Sequence, residues 1–403
     1  MPENNKLLRF VNCSIIRDHK VIKEDIWVRD GKIVDPEKIF YDEKIIEDER
    51  IDCGNRLIAP GLIEIQINGG YGYDFSFEDK TEEGLTMVAK KLLEHGVTAF
   101  CPTIVTSPVE VYHKILPKFG YKAGGAHGAT ILGAHVEGPF INTIKKGAHP
   151  EECISNFQQG MLQVESTYGS LENVRILTLA PELVNSSVVI RKLKEKNIVV
   201  SLGHSMADLN TSEEAMLSGA SLITHLFNAM LPFHHRDPGL VGLLASDKMT
   251  ETNSISFGII ADGIHTHPAA LRIAYRIHPD GLILITDAIS ALGLETGKHK
   301  IGQLDIEIKN HKAFIANTNT LCGSIASLIE CVRNLILATG CPVEYALESA
   351  SLHPAKVLGI HDKKGTLNYG ADADFIILTD RFNIYSTWIN GECVYESNPT
   401  NRK

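Results

Sequence analysis

The chain has 403 residues, of which 44% are hydrophobic and 22% charged, so it can bury a large core or more than one domain. Its formal net charge of −10 disfavours nucleic acid as a partner, because the overall field repels phosphate backbones. The sequence contains no apolar stretch of membrane-spanning length, and its first residues lack the apolar core of a signal peptide. Together with eight scattered cysteines and no C-x-x-C motif, these features predict a cytoplasmic protein with reduced thiols and no membrane partner.

Both ends of the chain carry short strand-like segments separated by turn signals. An Asp30-Gly31 turn divides apolar runs in the amino-terminal segment, and Asn390-Gly391 divides two runs near the other end. Asn-Gly between such runs is a strong hairpin signal. We therefore expect residues 1–58 and 356–403 to build one small β-sandwich domain.

Between these ends, in residues 59–355, apolar strand-like runs alternate with amphipathic helical segments. Such alternation predicts parallel βα units, and the length suits a (β/α)₈ barrel better than an open sheet. The predicted fold class is α/β, a TIM-type barrel joined to the small β-sandwich domain. The helices are predicted at Glu82–His95, Pro108–Phe119, Val184–Lys196, Ser212–Ser218, Pro268–Ile277 and Leu328–Thr339.

Four apolar runs of the predicted barrel each end on a residue that can bind a metal or move a proton, namely Glu137, His204, His225 and Asp287. Barrel enzymes build their sites at the carboxyl ends of the strands. One carboxylate and two imidazoles with an open position form a catalytic site for zinc or a similar divalent ion. A lone histidine at a strand end is more often structural, but three candidates on successive strand ends favour the metal.

Asp287 has two interpretations of similar weight. Its carboxylate could transfer a proton during hydrolysis, or it could cap the helix that follows. Gln66 and Asn68 end the first barrel strand, where many two-metal hydrolases of this architecture carry His-x-His. Neutral amides are poor ligands beside imidazoles, so these two residues predict one metal ion rather than two.

Several loops suit a hydrophilic anion. Asn228 and Ala229 follow His225 at a predicted strand-to-helix turn, where backbone N–H groups can receive phosphate. Arg236 offers a guanidinium for phosphate oxygens, or else a surface salt bridge. His149 could polarise a carbonyl or be an exposed loop histidine. The loops Asp262–His265 and Leu321–Ser324 could equally be plain turns.

Taken together, these segments resemble the N-acetylglucosamine-6-phosphate deacetylases of the amidohydrolase superfamily, over nearly the whole chain. The matching segments are Pro60-Gly-Leu-Ile-Glu-Ile-Gln-Ile-Asn-Gly-Gly, His135-Val-Glu-Gly-Pro-Phe, Lys146-Gly-Ala-His, Gly203-His204-Ser, Thr224-His-Leu-Phe-Asn-Ala-Met, His234-His-Arg-Asp-Pro-Gly, Ala261-Asp-Gly-Ile-His and Thr286-Asp-Ala.

The resemblance implies a metal site at Glu137, His204 and His225, with Asp287 as the catalytic acid and base and His149 polarising the acetyl carbonyl. The implied substrate contacts are Ala148, Asn228, Ala229, Arg236, Asp262, Gly263, Ile264, His265, Leu321, Cys322 and Gly323. It further implies a homodimer in which Arg236 reaches the site of the neighbouring subunit. Cys322 departs from the family, which usually has a small residue such as alanine there.

The implied reaction is removal of the acetyl group from N-acetyl-D-glucosamine 6-phosphate with one divalent cation per subunit. Zinc is the favoured ion, although iron, cobalt and manganese suit the same ligands. One alternative is a related hydrolase acting on another N-acyl or cyclic amide. The other is a catalytically silent scaffold, which the presence of all four strand-end residues argues against.

Overall fold

The computed structural model of the protein describes residues 6–301, 304–310, 312–318 and 323–398, so Leu321 and Cys322 lie outside the described residues. The chain opens with strands that belong to a sheet at the side of the barrel. They are β1 Leu8–Arg17, β2 Lys20–Lys23, β3 Ile26–Arg29, β4 Lys32–Ile33 and β5 Glu49–Pro60. Strand β1 pairs antiparallel with β2 and β3 and parallel with β5.

The barrel follows directly. Its strands and their short companions are β6 Leu62–Ile67, β7 Gly69–Gly70, β8 Tyr73–Asp74, β9 Val97–Val105, β10 Thr130–Ile131, β11 Ala134–Glu137, β12 Val174–Leu179, β13 Val199–Leu202, β14 Leu222–Ile223, β15 Ser256–Ile260 and β16 Leu282–Ile285. Eight of them run parallel in the order β6-β9-β11-β12-β13-β14-β15-β16. A parallel bridge between Ile67 and Ala288 brings the last strand back to the first and closes the barrel.

Helices cover the outside of the barrel. They are α1 Thr81–Leu92, α2 Val109–Ile115, α3 Met161–Tyr168, α4 Ser186–Glu195, α5 Leu209–Ser218, α6 Pro268–Ile277, α7 Leu328–Thr339, α8 Val343–Glu348 and α9 Leu352–Val357. The predictions for α6 and α7 are confirmed with their bounds, and those for α1, α2, α4 and α5 differ at the ends. The short helices α3, α8 and α9 were not predicted, because six to eight residues carry little periodic signal.

The chain returns to the terminal sheet after the barrel. Strands β17 Gly297–Ile301, β18 Leu304–Lys309 and β19 Lys312–Ile315 first form a separate antiparallel sheet between β16 and α7. Strands β20 Phe375–Leu378, β21 Ile384–Ile389 and β22 Glu392–Glu396 then join the sheet begun by β1, with β20 antiparallel to β5.

Aromatic side chains from both ends of the chain pack together in this terminal sheet. The ring of Phe10 lies 5.0 Å from that of Phe375 and 4.9 Å from that of Trp388. The predicted fold class is confirmed, since a parallel barrel stands beside a sheet that both termini build. The domain boundaries at residues 58 and 356 stay a prediction. Among the described helices, none is both long and apolar enough to cross a membrane.

Candidate metal and substrate site

Three polar atoms meet at the carboxyl end of the barrel. Nε2 of His204 and Nε2 of His225 each lie 3.0 Å from Oε1 of Glu137, and the two nitrogens lie 3.0 Å apart. All three residues are buried. The strand ends that the sequence singled out are therefore brought together, with one ligand atom each within 4.8 Å of the others.

The hydrogen bonding of His204 shows that this cluster suits a cation. Its Nδ1 lies 2.8 Å from the carbonyl oxygen of Lys145, which can only accept, so Nδ1 carries the proton. A neutral His204 then turns the lone pair of Nε2 toward Glu137 and His225. A histidine that donates from one ring nitrogen and presents the other to a metal is the usual arrangement in metal sites. The donor set suits zinc and similar divalent ions.

The electrostatics also favour positive charge where these atoms meet. Burial lowers the pKa of His225, but the hydrogen bond and charge of Glu137 outweigh it and raise that pKa to about 9. Burial raises the pKa of Glu137, yet the two imidazoles hold it well below its usual range. The carboxylate is thus ionised in a buried setting, where it stabilises a cation strongly.

The backbone at the strand ends is strained. His204, His225 and Asp287 have φ of 48°, 29° and 47°, in the left-handed region that residues with a Cβ rarely adopt. Each follows its strand by two residues, so the turn points the side chain over the mouth of the barrel. Strain of this kind persists where surrounding contacts determine the conformation, and it clusters at functional sites.

Asp287 stands next to the cluster without belonging to it. Its Oδ1 accepts a hydrogen bond from Nδ2 of Asn68 at 2.7 Å, and its backbone N–H donates to the carbonyl of Gln66 at 2.9 Å. Burial and the negative charge of Glu137 raise the pKa of Asp287 to about 6. The carboxylate is therefore ionised at neutral pH and has a pKa suited to taking up and returning a proton. No α-helix begins at Asp287, so the alternative role as a helix cap does not apply.

His149 lies against the cluster, with its ring centroid 4.5 Å from that of His204. The backbone N–H of Thr106 points at Nδ1 of His149 at 3.3 Å, and the Thr106 hydroxyl lies 2.7 Å from the same atom. A backbone N–H can only donate, so Nδ1 accepts and Nε2 carries the proton of the neutral ring. Burial and the neighbouring His204 lower the pKa of His149 to about 3, which keeps the ring neutral. His149 is thus a buried N–H donor, not an exposed loop histidine.

Gln66 and Asn68 each form a hydrogen bond to a carboxylate of the site. Nε2 of Gln66 donates to Oε2 of Glu137 at 3.2 Å, while Asn68 donates to Asp287. Both amides therefore present N–H groups to the carboxylates. An N–H group repels a cation, so the geometry supports one metal position.

The loops that the sequence predicted to bind substrate differ in how closely the structure matches the prediction. Asn228 and Ala229 lie in a turn after β14 that does not start an α-helix, so the predicted strand-to-helix turn is wrong. The Asp262–His265 loop is held by its own aspartate, whose Oδ1 accepts from the backbone N–H of Ile264 and of His265 at 2.8 Å. Oδ2 of Asp262 lies 2.6 Å from Nδ1 of His265.

The remaining predicted contacts are more exposed. Ala148 is exposed on the loop before His149, and Gly263 is exposed at the tip of its turn. Gly323 has φ of 135° and follows the undescribed Leu321 and Cys322.

Arg236 is exposed on the loop between β14 and β15. Its guanidinium forms no ion pair with any described residue, which removes the surface salt bridge as an explanation. An exposed guanidinium without an ion pair among the described residues is available to an anion.

Glu64 is a buried carboxylate below the site that the sequence did not single out. Its Oε1 accepts from the backbone N–H of Gln66 and its Oε2 from that of Thr286, both at 3.0 Å. It therefore joins β6 to the segment after β16, on either side of the barrel closure. Burial raises the pKa of Glu64 to about 8, against the opposing effect of these two hydrogen bonds.

This pKa predicts a pH-dependent stability. Because the folded-state pKa lies above the unfolded value, Glu64 stabilises the fold fully below pH ~4 and loses that contribution as pH rises through about 8. Between these limits, the unfolding free energy of the wild type should fall relative to Glu64→Gln by up to about 1.4 kcal/mol per pH unit. Urea titrations of both metal-loaded proteins at several pH values measure this. Parallel pH profiles for the two proteins would contradict the expectation.

Some contacts of the site were missed from the sequence. Thr106 fixes the tautomer of His149 and lies 43 residues from it in the chain. The carbonyl of Lys145 orients His204 and lies 59 residues from it. Glu182 ends the segment Leu177-Thr-Leu-Ala-Pro-Glu182, the same pattern of an apolar run followed by a carboxylate that revealed Glu137. The same pattern therefore marks Glu182 as a candidate residue of the site.

A parallel barrel with a carboxylate and two imidazoles at its mouth, and a separate aspartate beside them, defines a barrel hydrolase of the metal-dependent type. The amidohydrolase family model matches residues 57–394. The chain belongs to the amidohydrolase family.

Particular relatives narrow this class. The chain is 57% identical over 392 residues to the N-acetylglucosamine-6-phosphate deacetylase of Bos taurus, covering 97% of this chain and 96% of the relative. The crystal structure of the enzyme of that name from Pasteurella multocida superposes with a TM-score of 0.82 at 31% identity, covering 97% and 100% of the two chains. A Mycobacterium smegmatis mutant of that enzyme, in complex with N-acetyl-D-glucosamine 6-phosphate, superposes with a TM-score of 0.80 at 26% identity, covering 96% and 99%.

Proposed function

We propose that this chain hydrolyses N-acetyl-D-glucosamine 6-phosphate to D-glucosamine 6-phosphate and acetate. The observation that carries the proposal is the 57% identity, over 97% of the chain, to a relative named for this activity. The site agrees with it, because Glu137, His204, His225, Asp287 and His149 stand together as amide hydrolysis requires. An assay of acetate release from this substrate, with metal content measured on the same sample, tests it.

We propose that one divalent cation, zinc in preference to iron, cobalt or manganese, is held by Glu137, His204 and His225. When bound, such an ion lowers the pKa of water and polarises a carbonyl. The protein's own part rests on the geometry around these ligands. His204 is held by the Lys145 carbonyl and Glu137 by Gln66, so two of the three ligands are oriented by hydrogen bonds.

Asp287 carries the proton transfers, and His149 stabilises the charge that develops on the acetyl oxygen. Asp287 takes a proton from the attacking water and later delivers it to the leaving nitrogen, which its raised pKa allows. Nε2–H of His149 donates to the acetyl carbonyl oxygen as negative charge develops there. The amine and acetate then leave.

Arg236, with Asn228 and the backbone of Ala229, is proposed to bind the phosphate of the substrate. Replacement of Arg236 by alanine should raise KM for the phosphorylated substrate by about 10- to 100-fold, because a charge-assisted fork to phosphate is lost. Unphosphorylated N-acetylglucosamine should be affected little. The exposed Arg191, whose guanidinium donates a hydrogen bond to Ser218, provides the control variant Arg191→Ala. A similar change for both sugars in Arg236→Ala would contradict the phosphate role.

We further propose a homodimer in which Arg236 serves the site of the neighbouring subunit. Hybrid dimers of Arg236→Ala and Asp287→Asn subunits test this directly. If the arginine acts across the interface, one of the two sites in each hybrid dimer contains both intact residues. Purified hybrid dimers should then show about half of the wild-type activity at substrate concentrations below KM, and an unfractionated equimolar mixture about a quarter. If it acts within its own subunit, no site is complete and mixing restores nothing.

The nearest rival is a hydrolase of the same family acting on another N-acyl or cyclic amide. A higher kcat/KM for such an amide than for the phosphorylated sugar would favour it. A silent scaffold is disfavoured, because the metal cluster and Asp287 are intact and arranged as described.

A further inference from the structure

The metal ligand His204 needs support from outside its own strand. Its φ of 48° lies in the left-handed region, which is unfavourable for a residue with a side chain. Such a conformation persists only where neighbouring groups hold the chain on both sides. The hydrogen bonds around the residues that follow His204 identify those groups.

Glu182 lies at the centre of these hydrogen bonds. Its Oε2 accepts from the hydroxyl of Ser205 at 2.7 Å, and its Oε1 accepts from the backbone N–H of Met206 at 2.7 Å. Oε1 also accepts from Nδ2 of Asn142 at 2.9 Å. The carboxylate thus binds the two residues that immediately follow the metal ligand.

Asn142 completes the link to His204 itself. Its backbone N–H donates to the carbonyl oxygen of His204 at 2.9 Å. Asn142 lies five residues beyond Glu137, so Glu182 ties together the loops that follow β11, β12 and β13. No described cation pairs with Glu182, so its charge is balanced by hydrogen-bond donors alone.

We propose that Glu182 is a positioning residue for the metal site, which holds the strained turn at His204 so that its imidazole meets Glu137 and His225. The inference rests on the metal site of the proposed function and not on the identity of the substrate. Its loss should weaken metal binding, since partners that orient ligands typically contribute about 10- to 100-fold in metal affinity.

The test compares Glu182→Ala with Glu182→Gln in the full-length protein. Zinc affinity of the metal-stripped proteins is measured by competition with a chromophoric chelator, alongside thermal melting and kcat and KM. We expect Glu182→Ala to bind zinc about 10-fold or more weakly. Glutamine can still accept from Met206 and Asn142 and donate to Ser205, so Glu182→Gln should stay near wild type.

Glu213 offers a matched control. It also accepts from a serine hydroxyl, that of Ser246 at 2.6 Å, but it joins helix α5 to a loop without any metal ligand. Glu213→Ala should lower the melting temperature and leave zinc affinity unchanged. Equal zinc affinity in Glu182→Ala and wild type, or equal weakening in Glu213→Ala, would overturn the proposal.

A second pair of variants keeps the test decisive if Glu182→Ala does not fold. Asn142→Asp retains the oxygen that accepts from Ile144 but places a carboxylate against Glu182. Zinc affinity should fall in Asn142→Asp and recover in part in Asn142→Asp/Glu182→Gln, because the repulsion between two facing carboxylates is removed. No recovery in the double variant would count against the link between Asn142 and Glu182.

A wild type that binds zinc but releases no acetate would overturn only the substrate assignment.

Discussion

Replacing Asp287 by asparagine should lower kcat for acetate release by about 10²- to 10⁴-fold, the usual contribution of a general acid and base. The amide keeps the shape of the side chain but cannot accept a proton from water or return one to the leaving nitrogen. Metal content should be unchanged, because Asp287 bonds to Asn68 and lies outside the cluster of ligand atoms. Steady-state kinetics with elemental analysis of the same sample measure both.

The control for this variant lies at the other end of the same strand. Asp280 is exposed just before β16, whereas Asp287 follows that strand at the mouth of the barrel. Asp280→Asn should therefore match the wild type in kcat and metal content. If Asp287→Asn kept turnover within about threefold of wild type with its metal bound, another group would have to move the proton.

The fold could be predicted largely because a parallel barrel buries its strands on both faces. Runs such as Leu282–Ile285 are therefore continuous and apolar, and they are easily recognised. The antiparallel sheet of β17–β19 was missed, although Leu304–Lys309 alternates apolar and charged residues as a strand would. Its alternation predicts a strand, but its place between β16 and α7 depends on tertiary packing.

The metal ligands could be predicted for the same reason, since a polar residue at the end of a buried strand is conspicuous. Their supporting contacts could not, because these depend on which loops meet above the barrel. Thr106 contacts His149, and Lys145 contacts His204, because their loops lie close together in the fold. The turn at Asn228 shows the limit of local patterns, since the chain after His225 continues without the expected α-helix.

Replacement of Glu137 by glutamine should abolish stable metal binding and, with it, turnover. Oε1 of Glu137 lies 3.0 Å from both imidazole nitrogens, while Oε2 accepts from Gln66 at 3.2 Å. A glutamine would keep its oxygen on the Gln66 amide and so turn its NH₂ group toward the two histidines. That arrangement removes a negative charge and fills the cation position with N–H groups. Residues that only orient metal ligands typically contribute about 10- to 100-fold in metal affinity. We expect the loss of zinc affinity in Glu137→Gln to be larger than that.

Elemental analysis and zinc titration of metal-stripped Glu137→Gln measure this loss, and chelation followed by zinc addition should restore the wild type but not the variant. Glu152→Gln, on the exposed loop beyond His149, serves as the control and should bind zinc normally. Because Glu137 alone contributes a negative charge to the cluster, full occupancy in Glu137→Gln would mean that two neutral imidazoles suffice to hold the ion. The assignment of Glu137 as a ligand would then be wrong, and Asp287 would be the remaining carboxylate near the cluster.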